Sequence, residues 1–493
     1  MKHHILHNAA SDSNRRAILL FAGWGMDEKP FTGLNAEGYD IIIIRDYREG
    51  KPSEALRTLI DRYEELCVIA WSFGVPVATE FIVNNPSLPV TARIAVNGTM
   101  RPVDDRFGIP TDIFKGTMDG LAEKSLSKFY LRMCGSNAKF KEFSENMPQR
   151  DVNELKDELT AIGERYQKPQ LSRHDFTPWD CALVTDADRI IPTGNQSQAW
   201  NESGSTIERL DIEGPHLPDF QKIIDTFITR KGKVAEKFAR ASASYDDNAS
   251  TQHDIAAKLC SMLPSKANMA LEIGGGIGHT TEMLLANSDI RELEVWDLLS
   301  KTPEAYIKKS DCPEAEILEK RYGDKTATLR VCDAETEIMK TPSGSVDLIF
   351  SASTVQWFNS LPTFLRHVAR VLRPGGEAII STFGPQTMRE IARTRNRHYP
   401  DLQAIGRMIP ENCEIVRLEE DFMQMTFPNA IEALSHIKLT GVNALGGEKS
   451  AKDVRETLRN YPTLPSGEAP LTYHPIYLHI KKAANNKIKK DQT

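Results

Sequence analysis

Short apolar runs rich in Ile, Val and Leu recur in two separate series along this chain of 493 residues, and helix-like segments separate the runs within each series. The apolar residues in these runs are consecutive rather than alternating, which is typical of strands covered by helices on both faces. Strands that alternate with helices in this way predict a mainly parallel sheet. The sequence therefore predicts two domains of the α/β class, each with its own sheet.

The two series are separated near residue 226, where the apolar runs are followed by a basic and polar stretch. The predicted strands of the first series are Ala17–Phe21, Tyr39–Ile44, Cys67–Ala70, Ala92–Val96, Ala182–Thr185 and Ile207–Ile212. The predicted strands of the second series are Met269–Gly274, Leu293–Asp297, Leu329–Asp333, Val346–Ser351 and Glu377–Thr382. A helix is predicted over Leu361–Leu372, ended by the Pro and Gly residues that follow it.

These series predict the domain boundaries. We predict a first domain over residues 1–225, a linker over 226–236, a second domain over 237–482 and a polar tail over 483–493. The strand signal stops between about residues 105 and 178, where several helix-like segments, such as Leu121–Met133 and Val152–Tyr166, predict a helical insertion or lid on the first domain.

Charge and hydropathy exclude several classes of function. The chain has 61 Lys and Arg against 68 Asp and Glu, and this net charge of -7 argues against a dedicated nucleic-acid-binding protein. Neither a run of the ~20 apolar residues that span a bilayer nor a secretory signal is evident, so we expect a cytoplasmic protein. The seven cysteines lack CxxC spacing, which is typical of free thiols. His3, His4 and His7 are expected on a mobile, solvated terminus rather than at a metal site.

A candidate nucleophile lies at Ala70-Trp-Ser-Phe-Gly74, between an apolar strand and a helix-like segment. A serine flanked by small residues at such a position is the pattern of a nucleophile elbow, because small residues relieve the crowding of a sharp strand-to-helix turn. Ser72 would then project its hydroxyl at the N-terminus of the helix. A serine hydroxyl is a weak nucleophile, so it needs a base and an acid that orients the base.

Candidates for that acid and base follow in the order found in hydrolases, in which the serine is followed by the acid and then the histidine. Asp188 lies in the loop after one predicted strand, with Asp186 as the competing candidate, and His216 follows the next strand. Two backbone donors are needed for an oxyanion. We predict that they are the N–H groups of Phe73, directly after the serine, and of Trp24, in the glycine-rich loop after the first strand.

Several segments of the first domain are similar to the BioG-type pimeloyl-carrier-protein methyl ester esterases, over about residues 15–225. These segments are Phe21–Asp27, Ala70–Gly74, Ala95–Thr99, Arg132–Cys134 and Asn195–Trp200. The resemblance implies an α/β-hydrolase that cleaves the methyl ester of a pimeloyl chain carried by acyl carrier protein. Ala70 departs from the general hydrolase pattern, which has glycine at that position.

A glycine-rich turn follows the first strand of the second series. Gly274, Gly276 and Gly278 form a G-x-G-x-G pattern, which is compatible with binding of either a dinucleotide or S-adenosylmethionine. A dinucleotide site prefers G-x-G-x-x-G, but His279 stands where the last glycine would be. Glu272, close to the end of the strand, favours S-adenosylmethionine.

Acidic residues also end the next two predicted strands. Asp297 can accept hydrogen bonds from both ribose hydroxyls, and Asp333 can accept one from the adenine amino group; Ala334 follows it in the same predicted cofactor site. For any one of these acids taken alone, a helix cap is the alternative. Ligands of doubly wound sheets gather at the carboxyl ends of the strands. Together these positions predict a Rossmann-like methyltransferase that binds S-adenosylmethionine.

Several segments of the second domain resemble the BioC-type malonyl-carrier-protein O-methyltransferases, over about residues 234–482. These segments are Phe238–Asp246, Gln356–Trp357, Leu372–Gly376, Ser381–Arg389 and Leu439–Ala444. The resemblance implies a class I methyltransferase, although the family often has Cys where this chain has Gly275. Tyr245 is a candidate to close over the methionine end of the cofactor, with ordinary packing as the alternative. Arg389 is a candidate to pair with the malonyl carboxylate, with a surface position as the alternative.

The two resemblances together imply a bifunctional enzyme of biotin synthesis. Methylation of malonyl-acyl carrier protein would hide a charge that is costly to bury in apolar tunnels, and hydrolysis of the pimeloyl methyl ester would restore it after elongation. Basic residues of the predicted lid are candidates to dock the acidic carrier, with an ordinary solvated helix face as the alternative: Lys115, Lys124, Lys128, Arg132, Lys139 and Lys141. Two alternatives stay open, which are an unrelated carboxylesterase fused to a methyltransferase of small, aconitate-like acids, and a non-catalytic docking domain fused to a methyltransferase.

Overall fold

The computed structural model describes residues 1–7, 16–166, 179–202, 208–229, 231, 234, 249–276, 278–298, 307–310, 316–322, 325–394, 399–439 and 451–484. The chain divides into two compact units, Met1–Thr229 and Arg230–Thr493. Each unit contains its own large sheet, so the predicted α/β class is confirmed. In the described ranges, no helix has the length and apolar character needed to cross a membrane.

Unit 1 alternates strands and helices, and the apolar side chains of its inner strands are fully buried. Its strands are β1 (Lys2–His7), β2 (Arg16–Phe21), β3 (Asp40–Arg45), β4 (Glu65–Trp71), β5 (Val90–Val96), β6 (Cys181–Thr185) and β7 (Glu208–Ile212). Its helices are α1 (Glu54–Ile60), α2 (Gly74–Asn84), α3 (Thr111–Asp119), α4 (Glu123–Cys134), α5 (Asn137–Glu145), α6 (Val152–Tyr166), α7 (Thr193–Glu202) and α8 (Phe220–Phe227).

The sheet of unit 1 has the strand order β1-β3-β2-β4-β5-β6-β7 within the described residues. Strands β2 to β7 are parallel, and the order reverses between the neighbouring strands β2 and β4. In open parallel sheets, ligands bind outside the carboxyl ends of the strands at such a reversal. The loops after β2 and β4 hold the predicted oxyanion and nucleophile residues, so the fold brings both loops to this edge.

Helices α3 to α6 lie between β5 and β6, in the stretch for which the sequence predicted helices. Helix α6 is fastened to the rest of the unit by buried polar contacts. Glu158 accepts hydrogen bonds from the Tyr47 N–H, at 2.8 Å, and from the Arg150 guanidinium. Burial raises the pKa of Glu158, and the Arg150 charge opposes that shift. The Trp24 indole N–H donates to the Leu155 carbonyl at 2.9 Å, which joins α6 to the loop after β2.

The expectation of a mobile N-terminus is wrong for residues 2–7. They form β1, which pairs antiparallel with β3 at the edge of the sheet, so that His3 lies opposite Ile44 and His4 opposite Ile43. Their own sequence is mostly polar and carries little strand signal. The strand forms because the exposed backbone edge of the buried strand β3 offers it hydrogen-bond partners.

Unit 2 also alternates strands and helices over most of its length. Its strands are β8 (Lys266–Ile273), β9 (Asp289–Asp297), β10 (Ile307–Ser310), β11 (Glu316–Tyr322), β12 (Lys325–Val331), β13 (Val346–Ser351), β14 (Leu372–Phe383), β15 (Cys413–Glu420), β16 (Met423–Phe427), β17 (Ala469–Tyr473) and β18 (Pro475–Lys482). Its helices are α9 (Ser250–Cys260), α10 (His279–Asn287), α11 (Ala334–Lys340), α12 (Leu361–Val371), α13 (Leu402–Met408), α14 (Ala430–Leu439) and α15 (Ala451–Arg459).

The large sheet of unit 2 has the order β10-β11-β12-β9-β8-β13-β14-β18-β15 in the described part of the chain. Its central strands β12, β9, β8, β13 and β14 are parallel, and β18 is antiparallel to both of its neighbours. The order reverses between β8 and β13, which places the expected ligand crevice at the end of β8. This arrangement is the class I methyltransferase fold that the sequence predicted.

Several boundaries differ from the sequence-based expectations. Strand β13 has its predicted bounds, but β12 ends at Val331, and Asp333 instead caps α11 by accepting a hydrogen bond from the Glu335 N–H at 3.0 Å. The added hairpin of β10 and β11 and the antiparallel strands near the C-terminus were not predicted. Five of the eleven residues of the predicted linker over 226–236, and nine of the eleven residues of the predicted tail over 483–493, lie outside the described residues.

Candidate active sites

The loop between β4 and α2 forms a sharp turn in unit 1. Ser72 has a φ of 58°, in the left-handed region that side chains other than glycine seldom adopt. A Cβ atom at Gly74 would collide with the Phe21 carbonyl, and one at Gly98 would collide with the Ser72 carbonyl. The turn is therefore strained and tightly enclosed, which is typical of a functional position.

The structure brings Ser72, His216 and Asp188 together in a buried chain of hydrogen bonds. The Ser72 Oγ lies 3.0 Å from the His216 Nε2, and the His216 Nδ1 lies 2.7 Å from the Asp188 Oδ2. Because Nδ1 faces a carboxylate, it carries the proton, and Nε2 can accept one from the serine. Asp186, the competing acid, instead accepts a hydrogen bond from the Gly214 N–H at 2.9 Å.

Two residues that sequence reasoning missed fix the backbone of His216. The carbonyl oxygen of His216 accepts hydrogen bonds from the Trp71 indole N–H and from the Asn97 amide, both at 2.9 Å. The Asn97 Oδ1 also accepts from the Thr185 N–H at 2.9 Å. Asn97 thus joins the end of β5, the end of β6 and the histidine loop. A local motif gives no signal for this role, since the partners lie about a hundred residues away in sequence.

The two predicted oxyanion donors lie beside the serine. Trp24 and Phe73 both line the pocket that Ser72 and His216 also line. Among the described residues, neither the Trp24 N–H nor the Phe73 N–H donates a hydrogen bond to another group. Both donors are therefore available for a negative oxygen at this edge of the sheet.

The pocket beside Ser72 is mainly apolar. Helices α3, α4 and α6 contribute to its wall together with the sheet edge. Its apolar and aromatic lining residues include Ile109, Ile113, Phe114, Phe129, Met133, Leu159 and Ile190. The exposed Arg132 also lines it. An apolar wall with few polar groups suits an aliphatic chain.

The glycine turn of unit 2 has the backbone geometry that only glycine adopts readily. Gly274, Gly276 and Gly278 have φ values of 78°, 54° and 98°. A Cβ atom at Gly274 would collide with Thr354, whereas the space beside Gly276 is open. At Gly275, a Cβ atom would collide with Val295, which accounts for glycine at a position where related patterns often have cysteine.

Two predicted acids lie around this turn. The Asp297 Oδ2 accepts a hydrogen bond from the Gly276 N–H at 2.7 Å. The Glu272 Oε2 accepts one from the Thr281 hydroxyl at 2.6 Å, while its buried Oε1 has no hydrogen-bond partner among the described residues. Burial raises the pKa of Glu272 to about 7. An orphaned carboxylate oxygen beside an open glycine turn fits a ligand with an amino group and ribose hydroxyls, as S-adenosylmethionine has.

Asp333 has a partner that the sequence did not predict. Both of its carboxylate oxygens lie near the Lys231 Nζ, at 2.8 and 2.6 Å, and this Nζ also lies 2.5 Å from the Glu335 Oε2. Burial raises the pKa of Glu335, and the Lys231 charge opposes that shift. Ala334 is buried at the start of α11. An adenine amino group at Asp333 would therefore share the carboxylate with Lys231.

The two remaining candidate residues of the methyltransferase site are Tyr245 and Arg389, and the structure says less about them. Tyr245 lies outside the described residues. The Arg389 side chain is 53% exposed, and its Nε lies 3.6 Å from the Glu390 Oε1. The role of Arg389 with a malonyl carboxylate stays a prediction, with its guanidinium at the surface of the unit.

Comparisons with known proteins match two different families to the two units of the chain. Residues 6–224 match the family described as pimeloyl-ACP methyl esterase BioG, and residues 271–380 match a methyltransferase domain. A malonyl-[acyl-carrier protein] O-methyltransferase of Bacteroides fragilis is 34% identical over 481 residues, which cover 95% of this chain and 93% of the relative. One of Chlorobium phaeovibrioides is 32% identical and covers 50% of this chain and 95% of that protein.

Among solved structures, BioG from Haemophilus influenzae is 32% identical to this chain, with a TM-score of 0.38. The match covers 44% of this chain and 94% of the BioG chain. The matched methyltransferase domain contains the glycine turn and the acidic strand ends, so unit 2 is a methyltransferase that uses S-adenosylmethionine. Because the similarity to the Bacteroides protein extends over nearly the whole of both chains, this chain belongs to the malonyl-[acyl-carrier protein] O-methyltransferase family, with a BioG domain at its N-terminus.

Proposed function

We propose that the chain is a cytoplasmic, bifunctional enzyme of biotin synthesis. Unit 2 methylates the free carboxylate of malonyl-acyl carrier protein, and unit 1 is a serine esterase of the α/β-hydrolase fold that hydrolyses pimeloyl-acyl carrier protein methyl ester. The observation that carries the esterase half is the buried alignment of Ser72, His216 and Asp188 beside an apolar pocket. A docking domain without catalysis would not need a strained serine in hydrogen-bond reach of an oriented imidazole.

Hydrolysis begins when the Ser72 Oγ attacks the ester carbonyl and His216 Nε2 takes the serine proton. The N–H groups of Trp24 and Phe73 donate to the oxyanion that forms, and Asp188 stabilises the imidazolium. His216 then returns its proton to the leaving methoxide, and methanol departs. A water molecule, activated by the same histidine, releases the acyl chain from the serine with a free carboxylate.

In unit 2, bound S-adenosylmethionine supplies an electrophilic methyl group on a sulfonium. The malonyl carboxylate is ionised at neutral pH, so the chain needs no strong base and has to align the two reactants and exclude water. The glycine turn lets the backbone approach the ligand closely, and Asp297 holds the turn through Gly276. We assign the ribose contact to Asp297 and the adenine contact to Asp333 and the backbone of Ala334.

The carrier protein is the partner of both units. The segment over about residues 105–178 forms the lid in this proposal. Its helices α3, α4 and α5 present exposed basic residues that can attract an acidic carrier: Lys115, Lys124, Lys128, Arg132, Lys139 and Lys141. Arg132 has the most direct position, because it is exposed on α4 and also lines the pocket of Ser72.

Replacing Arg132 by glutamate is expected to raise the KM for pimeloyl-acyl carrier protein methyl ester about tenfold with little change in kcat, because the charge reversal acts on the encounter with the carrier. Steady-state hydrolysis of the carrier-borne ester and of the uncharged dimethyl ester of pimelate would be measured in parallel. Because the dimethyl ester has neither a charge nor a carrier, its hydrolysis by Arg132→Glu should change much less than that of the carrier-borne ester. An equal loss on both esters would contradict a role in carrier docking.

Complementation of two biotin auxotrophs tests the whole proposal. One strain lacks the methyltransferase activity and the other lacks the esterase activity. Rescue of both strains by the full chain is the expected result. Rescue of only the strain that lacks the methyltransferase would favour a non-catalytic first unit. Methylation assays that compare malonyl-acyl carrier protein with free small acids distinguish the remaining alternative, a methyltransferase of aconitate-like acids.

A further inference from the structure

Gln196 is a buried polar residue that the mechanism above leaves without a role. It lies in the first turn of α7 and is fully buried. Its Nε2 donates to the Asp188 Oδ2 at 2.8 Å and to the Ile191 carbonyl at 2.8 Å, so both amide hydrogens are used. The opposite orientation of the amide would turn its oxygen toward the Asp188 Oδ2 and the Ile191 carbonyl oxygen, which are both acceptors and would repel it. The side-chain orientation is therefore fixed by its neighbours.

The contact with Asp188 is made on the same oxygen that faces the imidazole. Asp188 Oδ2 receives both the His216 Nδ1, at 2.7 Å, and the Gln196 Nε2. Asp188 Oδ1 accepts from the N–H groups of Ile190, at 2.7 Å, and Ile191, at 3.0 Å. The terminal torsion of an aspartate is broad, and without Gln196 the one remaining donor to Oδ2 among the described residues would be the imidazole that the carboxylate has to orient. Gln196 supplies a donor to Oδ2 that does not depend on the position of His216.

We propose that Gln196 is a positioning residue for the hydrolysis reaction, acting through Asp188. It holds the carboxylate plane so that Oδ2 lies in line with the His216 Nδ1–H, and this contact keeps the imidazole in the tautomer that can accept the serine proton. It also ties α7 to the loop that carries Asp188, through the Ile191 carbonyl. The inference rests on the esterase function proposed above, because it assigns Gln196 a part in that reaction.

Replacing Gln196 by leucine removes the donor and keeps a similar volume. We expect kcat for hydrolysis of pimeloyl-acyl carrier protein methyl ester to fall about 10- to 100-fold with KM unchanged, since Gln196 is not among the residues that line the pocket. Gln198→Leu is the matched control, because that glutamine lies on the same helix and bonds Glu202 at the surface. The control should keep the activity of the unchanged enzyme.

A second variant gives a signature that a loss of packing would not produce. In Gln196→Glu, a protonated carboxyl can still donate to Asp188, whereas its ionised form repels it. We expect hydrolysis by this variant to fall as the pH rises across a range in which the unchanged enzyme stays active. A pH profile parallel to that of the unchanged enzyme would overturn the proposal. Thermal unfolding of both variants shows whether unit 1 remains folded.

A spectroscopic measurement separates this inference from the esterase proposal. The low-field proton resonance of the His216 Nδ1–H reports the contact with Asp188 without any substrate. In Gln196→Leu it should move upfield and broaden, and in Gln198→Leu it should stay in place. An unchanged resonance in Gln196→Leu would overturn the positioning role. Absence of ester hydrolysis by the unchanged enzyme would instead overturn the esterase proposal, while the resonance would still test the contact.

Discussion

Replacing Ser72 by alanine is expected to abolish hydrolysis of pimeloyl-acyl carrier protein methyl ester while methyl transfer to malonyl-acyl carrier protein continues. The substitution removes the atom that attacks the ester and leaves His216 and Asp188 without a nucleophile to activate. Loss of the serine in hydrolases of this mechanism lowers kcat by about 10⁶-fold, with the residual rate due to the oxyanion donors and to binding. Mass spectrometry of the carrier-bound acyl chain measures both reactions in one sample.

The choice of alanine keeps the test interpretable. Ser72 has a φ of 58°, and alanine carries the same Cβ atom into that strained conformation, so the strain of the turn is unchanged. Ser127→Ala is a suitable control, because the Ser127 hydroxyl donates to the Glu123 carbonyl on the exposed side of α4. Hydrolysis at the unchanged rate in Ser72→Ala would remove the esterase proposal, whatever the geometry of His216.

The features that the sequence predicts well are local ones. Consecutive apolar residues identify the buried parallel strands, and small residues around Ser72 identify a sharp turn within a few positions. The glycines at 274, 276 and 278 likewise encode positive φ values through their own lack of a side chain. Such signals need no knowledge of distant partners, and for this reason β13 has its predicted bounds.

The features that sequence reasoning missed depend on distant partners. Asn97 bonds the carbonyl of His216, 119 positions away, and Lys231 contacts Asp333, 102 positions away. Strand β1 forms on the free edge of β3 although its own residues are mostly polar. Gln196 lies near Asp188 in sequence, but its buried amide resembles any surface glutamine until the fold encloses it. In each case the tertiary structure supplies the acceptor, the edge or the burial that gives the residue its role.

Replacing Asp297 by alanine is expected to weaken binding of S-adenosylmethionine by about 100-fold or more and to leave ester hydrolysis unchanged. The carboxylate has two tasks in the proposed site, since its Oδ2 accepts the Gly276 N–H at 2.7 Å and the carboxylate is assigned to the ribose hydroxyls. Loss of hydrogen bonds to a charged group costs about 1.5–3 kcal/mol each, and loosening of the turn adds to that cost. Isothermal titration calorimetry measures the affinity directly.

The conservative variant Asp297→Asn separates these two tasks. Its side-chain oxygen can still accept the Gly276 N–H, but an amide cannot accept two ribose hydroxyls as a carboxylate does, so an affinity between those of the alanine variant and the unchanged enzyme is expected. Asp289→Ala is the matched control, because Asp289 is exposed at the opposite end of β9. Unaltered affinity in Asp297→Ala would exclude Asp297 from the cofactor site. A loss in Asp297→Asn as large as in Asp297→Ala would place the main contribution at the ribose rather than in the geometry of the turn.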